Sequence, residues 1–152
     1  MRAGLMVEGA DVMALLELAE AVDSDNRDWL RGIVEAHGWP GISRVGAAGS
    51  HEAWLLVQHA DGDPDFQERC LELLRAAVPA GEAGGTDLAY LEDRVAVAHG
   101  RPQVYGTQFH EVDGVMVPKP MVEPDNVDAR RAAVGLGTLA EYAKQIHEVY
   151  GK

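Results

Sequence analysis

Apolar residues recur at helical spacing along most of the chain. Val12, Leu15, Leu16, Ala19 and Val22 follow the rhythm of one helix face, and Asp23-Ser24-Asp25 offers stop and cap residues after them. Leu30, Ile33, Val34 and His37 predict a second helix, closed by Gly38 and followed by Pro40. Residues 41–49 read as a glycine-punctuated loop. Ser50 is then the expected cap of a third helix that runs through Trp54, Leu55 and Val57 to His59. Asp61-Gly62-Asp63-Pro64 predicts a turn that opens a fourth helix through Leu74. Thr86 is the expected cap of a fifth, with Leu88, Leu91 and Val95 on its apolar face.

The period then changes. Residues 103–109 and 112–117 alternate or carry β-branched side chains, and Asp113-Gly114 lies between them, which predicts a short hairpin. Pro118 and Pro120 end it. Pro124-Asp125 starts a short helix that stops near Gly135-Leu136-Gly137. Thr138 and Glu141 match the capping box, and Leu139, Tyr142, Ala143, Ile146, Val149 and Tyr150 form a last helix. The pattern predicts a mainly α (α+β) fold: one domain over residues 1–152, a helical bundle with one inserted short β-hairpin. Two strands alone are marginal, so the hairpin must lean on the helices.

Composition narrows the function. The chain has 152 residues with 25 acidic and 13 basic groups, a formal charge of −12, and is 47% hydrophobic. That is apolar enough for a core. The acidic excess argues against nucleic acid and against an anionic membrane surface as partners. Glu8 and Asp11 interrupt the N-terminal apolar run, and no window approaches a spanning helix, so a cytoplasmic protein is expected. The lone Cys70 sits on the apolar face of Phe66, Leu73, Leu74 and Ala77 and reads as a core thiol.

No metal or cofactor motif is present. His51 and His59 are two helical turns apart, too far to grip one ion from one helix. Asp61, Asp63, Asp65 and Glu72 mimic a calcium loop, but Phe66 replaces its obligatory glycine and Pro64 stiffens it. A capped, acidic helix start explains them better. Phosphate loops and a nucleophile elbow are absent, so any chemistry is expected to need no cofactor.

What remains are polar residues set in apolar surroundings: Asn26, Gln58, His59, Asp93, Arg94, Gln103, Tyr105, Thr107 and Gln108. Each must find a partner, because a buried unpaired polar group costs about 1–3 kcal/mol. Each alone is most simply a structural group. Converging together, they would line a polar pocket.

Gly38-Trp39-Pro40, Leu56-Val57-Gln58-His59-Ala60, Ala89-Tyr90-Leu91-x-Asp93-Arg94-Val95, Gln103-x-Tyr105-Gly106-Thr107-Gln108 and Arg131-x-x-x-Gly135-Leu136 occur in this order. The ordered set, spanning about Asp23 to Tyr142, resembles a family of small bacterial domains known as domain of unknown function 6624. The resemblance carries no activity with it. It implies that these positions share a site or a scaffold.

Two readings follow. In the first, the protein is a small enzyme acting by hydrolysis, elimination or cyclisation on a small polar, anionic molecule. His59 is its acid or base, Tyr105 a proton or hydrogen-bond donor, and Asp93 orients His59 or pairs Arg94. Asn26, Gln58, Gln103, Thr107 and Gln108 orient the substrate, and Arg94 or Arg131 holds its charge by a bidentate fork. In the second, the same residues make a non-catalytic ligand-binding module or an accessory subunit of a heteromeric enzyme. Trp29, Trp39 and Trp54 are then candidate anchors for a protein partner or a second copy.

Overall fold

The computed structural model describes residues 24–150. The first predicted helix, over 12–22, lies outside them. The described part of α1 covers 24–37, and its last turn closes where Gly38, at φ +75°, donates from its amide to Val34 O at 2.8 Å. This is the glycine stop the sequence indicated.

Helix α2 spans Ile42–Gln58. The expected loop over 41–49 is therefore helical, interrupted only at Gly46, whose φ of +79° breaks the run. Ser50 is no cap. It lies within α2, 3% exposed, where its hydroxyl accepts from Trp39 Nε1 and donates to Glu82 O, each at 3.3 Å. The backbone before it is already helical, so no free amide awaits a side-chain cap there.

Helix α3, Pro64–Ala77, starts as the turn predicts. Asp63 accepts from the Phe66 amide at 3.1 Å and proline takes the first helical position. Helix α4, Gly85–Ala98, begins one residue before Thr86, and its cap residue Gly84 supplies no side chain. Helices α2, α3 and α4 pack on one another around Leu30, Val34, Trp54, Val57, Phe66, Cys70, Leu71, Leu74, Leu91 and Val95. Each large apolar side chain buried there contributes about 1.5–3 kcal/mol. Cys70 is fully enclosed and burial pushes its thiol up to about 12, which suits a core role.

The hairpin pairs β1 (Phe109–Val112) with β2 (Val115–Pro118) in antiparallel register, Val112 opposite Val115. Asp113 and Gly114, at φ +50° and +80°, make the tight turn between them, the double left-handed geometry that favours this dipeptide. Residues 103–108, expected to extend the first strand, form instead an irregular loop with one bridge, Gln103 to Met121. A 3₁₀ turn (Pro124–Asn126) leads into α5 (Val127–Ala133), and α6 (Leu139–Tyr150) lies along β2. The capping box is reciprocal: Glu141 N donates to Thr138 Oγ1 at 3.2 Å and Thr138 N to Glu141 Oε2 at 3.3 Å. The fold is mainly α with one short hairpin, as the periodicity indicates. No helix among the described residues is long and apolar enough to cross a membrane.

Candidate functional site

The centre of the predicted polar set is a clamped loop. Asp93, on α4, is fully buried. Its Oδ1 accepts from the amides of Val104 (2.8 Å) and Tyr105 (3.0 Å), and its Oδ2 from the Thr107 amide (3.0 Å) and hydroxyl (2.8 Å). The carbonyls of the same loop are held from other sides. Arg130 Nε reaches Val104 O (2.8 Å), Arg131 Nη1 reaches Tyr105 O (2.7 Å) and the Tyr142 hydroxyl reaches Thr107 O (3.1 Å). Gln103, also fully buried, donates to Gln108 O and Lys119 O and accepts from the Gln108 amide, each at 2.9 Å. Gly106 turns the chain at φ +68°, and a Cβ there would lie 2.9 Å from Leu139 Cδ1.

This network explains why residues 103–108 are not a strand. The amides of Val104, Tyr105, Thr107 and Gln108 are taken by side chains, so no neighbouring strand is needed to satisfy them. It also gives several expected site residues another task. The Asp93 carboxylate, expected to orient His59 or pair Arg94, is committed to four loop donors. Gln103 holds backbone, and the Thr107 hydroxyl is taken up between Asp93 Oδ2 and Gln108 Nε2. Arg131, 2% exposed, donates from Nε to Gly137 O at 2.6 Å and lies 5.1 Å over the Tyr142 ring, so it grips carbonyls rather than an anion.

Arg94 is likewise occupied. Its Nε and Nη2 donate to Asp61 Oδ1 (2.9 Å) and Oδ2 (2.5 Å), and Nη1 lies 3.4 Å from Gln108 Oε1. Gln108 Nε2 continues the chain to Thr107 Oγ1 at 3.0 Å. The Arg94 hydrogen bond holds the Asp61 carboxyl below its usual value, with help from Gln67 and from the charge of His59 nearby. His59 itself is the exposed C-cap of α2, and its ring hydrogen-bonds to no described residue. Tyr105 is half-buried; burial and then the charges of Glu92 and Asp93 push its phenol up. Asn26 is exposed on α1, away from this network.

A pH test follows from Asp61. Its stabilising effect is fully present above the unfolded carboxyl value of about 3.9 and is lost as pH falls through the lower folded value. The side chain is 60% exposed, so Asp61→Asn should cost under about 1 kcal/mol at neutral pH. Melting curves of the two proteins should converge below about pH 4. A gap that widens in acid would contradict the pairing.

Helices α2 and α4 also form a pair the sequence did not indicate, His51 with Asp87. His51 Nδ1 lies 3.0 Å from both oxygens of Asp87, which sits in the first turn of α4. Burial pushes the Asp87 carboxyl up, and the hydrogen bond from His51 opposes the rise. One turn along, Trp54 stacks on His51 with ring centroids 5.0 Å apart and meets Tyr90 edge-on at 6.0 Å. Tyr142 and then Phe109 extend the aromatic row. Gln58, the next turn, donates from Nε2 to Tyr90 O at 3.4 Å. Two polar atoms of this row, Trp54 Nε1 and Gln58 Oε1, are buried without a hydrogen-bond partner among the described residues. His51, Trp54 and Gln58 follow the spacing of one helix face, which was the available signal; Asp87 is 36 residues away from His51 and carries none.

The match that places the chain spans residues 2–152. The chain belongs to the family of unknown function DUF6624. No curated protein and no solved structure matches it. The pieces that carried the resemblance fall largely on the clamped loop and its anchors: Asp93 and Arg94, the Gln103–Gln108 segment, and Arg131 with its carbonyl partners.

Proposed function

We propose that the protein is a small bacterial cytoplasmic enzyme that works by general acid/base chemistry on a small polar molecule, with His51 as the proton-transferring group. The observation that supports this reading is the His51–Asp87 pair. Asp87, with a side chain 12% exposed, fixes the Nδ1 edge of a ring whose side chain is 57% exposed. With Nδ1–H donated to the carboxylate, the opposite nitrogen carries the lone pair and faces outward, the arrangement of an oriented base. His59 lacks such an orienting partner among the described residues, so the role expected of it passes to His51. The clamped loop is tied to the same row through Tyr142, which meets Tyr90 edge-on and donates to Thr107 O, and rigid support is what holds a reacting geometry.

Panels of small hydrolase, lyase and cyclase substrates, followed by NMR near neutral pH, provide the test. A conversion that needs this protein should fall about 10²-fold in both His51→Gln and Asp87→Asn, while circular dichroism shows both variants folded. Conversion untouched by either substitution rejects the assignment.

One observation favours the non-catalytic alternative. Trp29 is 65% exposed at a cleft of about 280 Å³ lined by Leu30, Ile33, Pro40, Val45 and Leu56. An exposed Trp beside apolar side chains is the composition of a protein-docking anchor. Sedimentation in cell extract against purified protein separates this reading from a free-standing enzyme.

A further inference from the structure

Arg94 is paired with Asp61 and Arg131 with two backbone carbonyls, so neither is open to an anion. Two other cations are. We propose that the cleft at the C-terminal end of α4 binds a small carboxylate with a compact apolar body, its charge held by Arg101 and Lys119 and its body by Val97, Pro102 and Pro120. This site stands apart from the His51–Asp87 pair, because α4 rises about 15 Å between Asp87 and Val97.

The cleft has a volume of about 260 Å³ and is lined by Val97, Gly100, Arg101, Pro102, Lys119 and Pro120. Both of its walls are fixed. Helix α4 closes with the paired hydrogen bonds of a Schellman motif: Gly100, at φ +70°, donates from its amide to Val97 O (3.1 Å), and Arg101 from its amide to Ala96 O (2.8 Å). This turns Arg101 out of the helix, and the ring of Pro102 stiffens the exit. The facing wall is tied down by fully buried Gln103, whose side chain donates to Lys119 O (2.9 Å) and whose amide donates to Pro120 O (3.0 Å). A cleft formed before its ligand arrives loses little to ordering on binding.

The lining decides the ligand. Two proline rings and Val97 offer apolar surface, so the body they cover is apolar. Arg101 and Lys119 are engaged through their backbones alone; their side chains enter no ion pair or hydrogen bond among the described residues. A guanidinium or an ammonium only donates, so the two together call for an anion, and a carboxylate suits both. A cation just past a helix end is favourable by itself, but Lys119 lies on the other wall. No acidic side chain lines the cleft. Charges more than about 8 Å away are largely screened at physiological salt, so the ligand meets these two cations rather than the net charge of −12. With about 30 Å³ as a water's share of volume, the space takes about nine heavy atoms.

The test follows the amide signals of Gly100, Arg101 and Lys119 in the ¹⁵N-labelled full chain. Benzoate, which is of that size, is the probe. Benzamide keeps its shape without the charge, and inorganic phosphate has charge without the apolar body. Benzoate should move the three amides saturably, with half-saturation at about 1 mM or below. Benzamide and phosphate should each bind at least about tenfold more weakly, and Arg101→Gln and Lys119→Gln should each weaken benzoate about tenfold. Arg101 is exposed and Lys119 half-buried, so neither change empties the core, and circular dichroism should show both variants folded. Amides silent to benzoate overturn the proposal. Benzamide binding as tightly as benzoate reduces the cleft to an apolar crevice, and phosphate binding as tightly reduces it to an adventitious ion only; either overturns it. So does an affinity that neither variant changes. The acid/base reading fails or stands separately: His51→Gln should leave the benzoate titration as it was, and a response lost in that variant would move the anion to the α2–α4 pair and overturn the assignment to this cleft.

Discussion

Asp93→Ala should lower the stability of this protein by about 4 kcal/mol, more than any other single truncation on α4. The reason is the number of donors released. Three loop amides and one hydroxyl converge on a carboxylate that is fully buried. Hydrogen bonds to a charged acceptor contribute about 1.5–3 kcal/mol each, and relaxation lets some of the freed donors find water. For a domain of this size the loss corresponds to about 8–16 °C in melting temperature. It is a large share of the 5–15 kcal/mol that holds typical domains folded. Asp93→Asn should recover only part of it, since its NH₂ group faces donors. Urea denaturation of the three proteins, with hydrogen exchange at Val104, Tyr105 and Thr107, provides the measurement. An Asp93→Ala protein within about 1 kcal/mol of the parent would show that the loop holds itself.

Arg131→Ala should cost about 3–5 kcal/mol, and Arg131→Lys should fail to restore it. The guanidinium spans two carbonyls on separate segments, Gly137 O and Tyr105 O, while its plane covers the Tyr142 ring. A lysine carries the same charge into the same buried position, but a single ammonium cannot reproduce the planar fork. Truncation frees both carbonyls and unpacks the ring that itself holds Thr107 O. The order of midpoints in urea should therefore be parent first, with Lys and Ala well below. A lysine variant as stable as the parent would mean that charge alone, without the fork, secures the loop to α5.

These two residues also show where local reading ends. Asp93 stood out in the sequence as a polar group in apolar surroundings that had to find partners, and Arg131 as the start of the Arg131-x-x-x-Gly135-Leu136 piece. The local reading gave Asp93 to His59 or Arg94 and Arg131 to a substrate's charge, because the alternative partners, backbone amides and carbonyls of a loop, are invisible in side-chain composition. Residues 103–108 have the alternation of a strand, and only the convergence of Asp93 and Gln103 on their amides makes them a loop. His51 was weighed as a metal ligand and set aside because His59 is two turns away, and the carboxylate it meets, Asp87, is 36 residues distant. Ser50 had the side chain of a cap, and the helical backbone before it removed the need for one.

The chain by itself determined the helix faces, the Asp63-Pro64 start of α3, the Gly38 stop, the Asp113-Gly114 turn and the capping box of α6, because each depends on side chains within about one turn of one another. The crossing of α2 over α4 decided the rest. It set His51 against Asp87 and gave Arg94 to Asp61. Hydrogen-bond partners more than thirty residues apart are chosen by how helices pack, and periodicity along one helix holds no record of the neighbour it will meet.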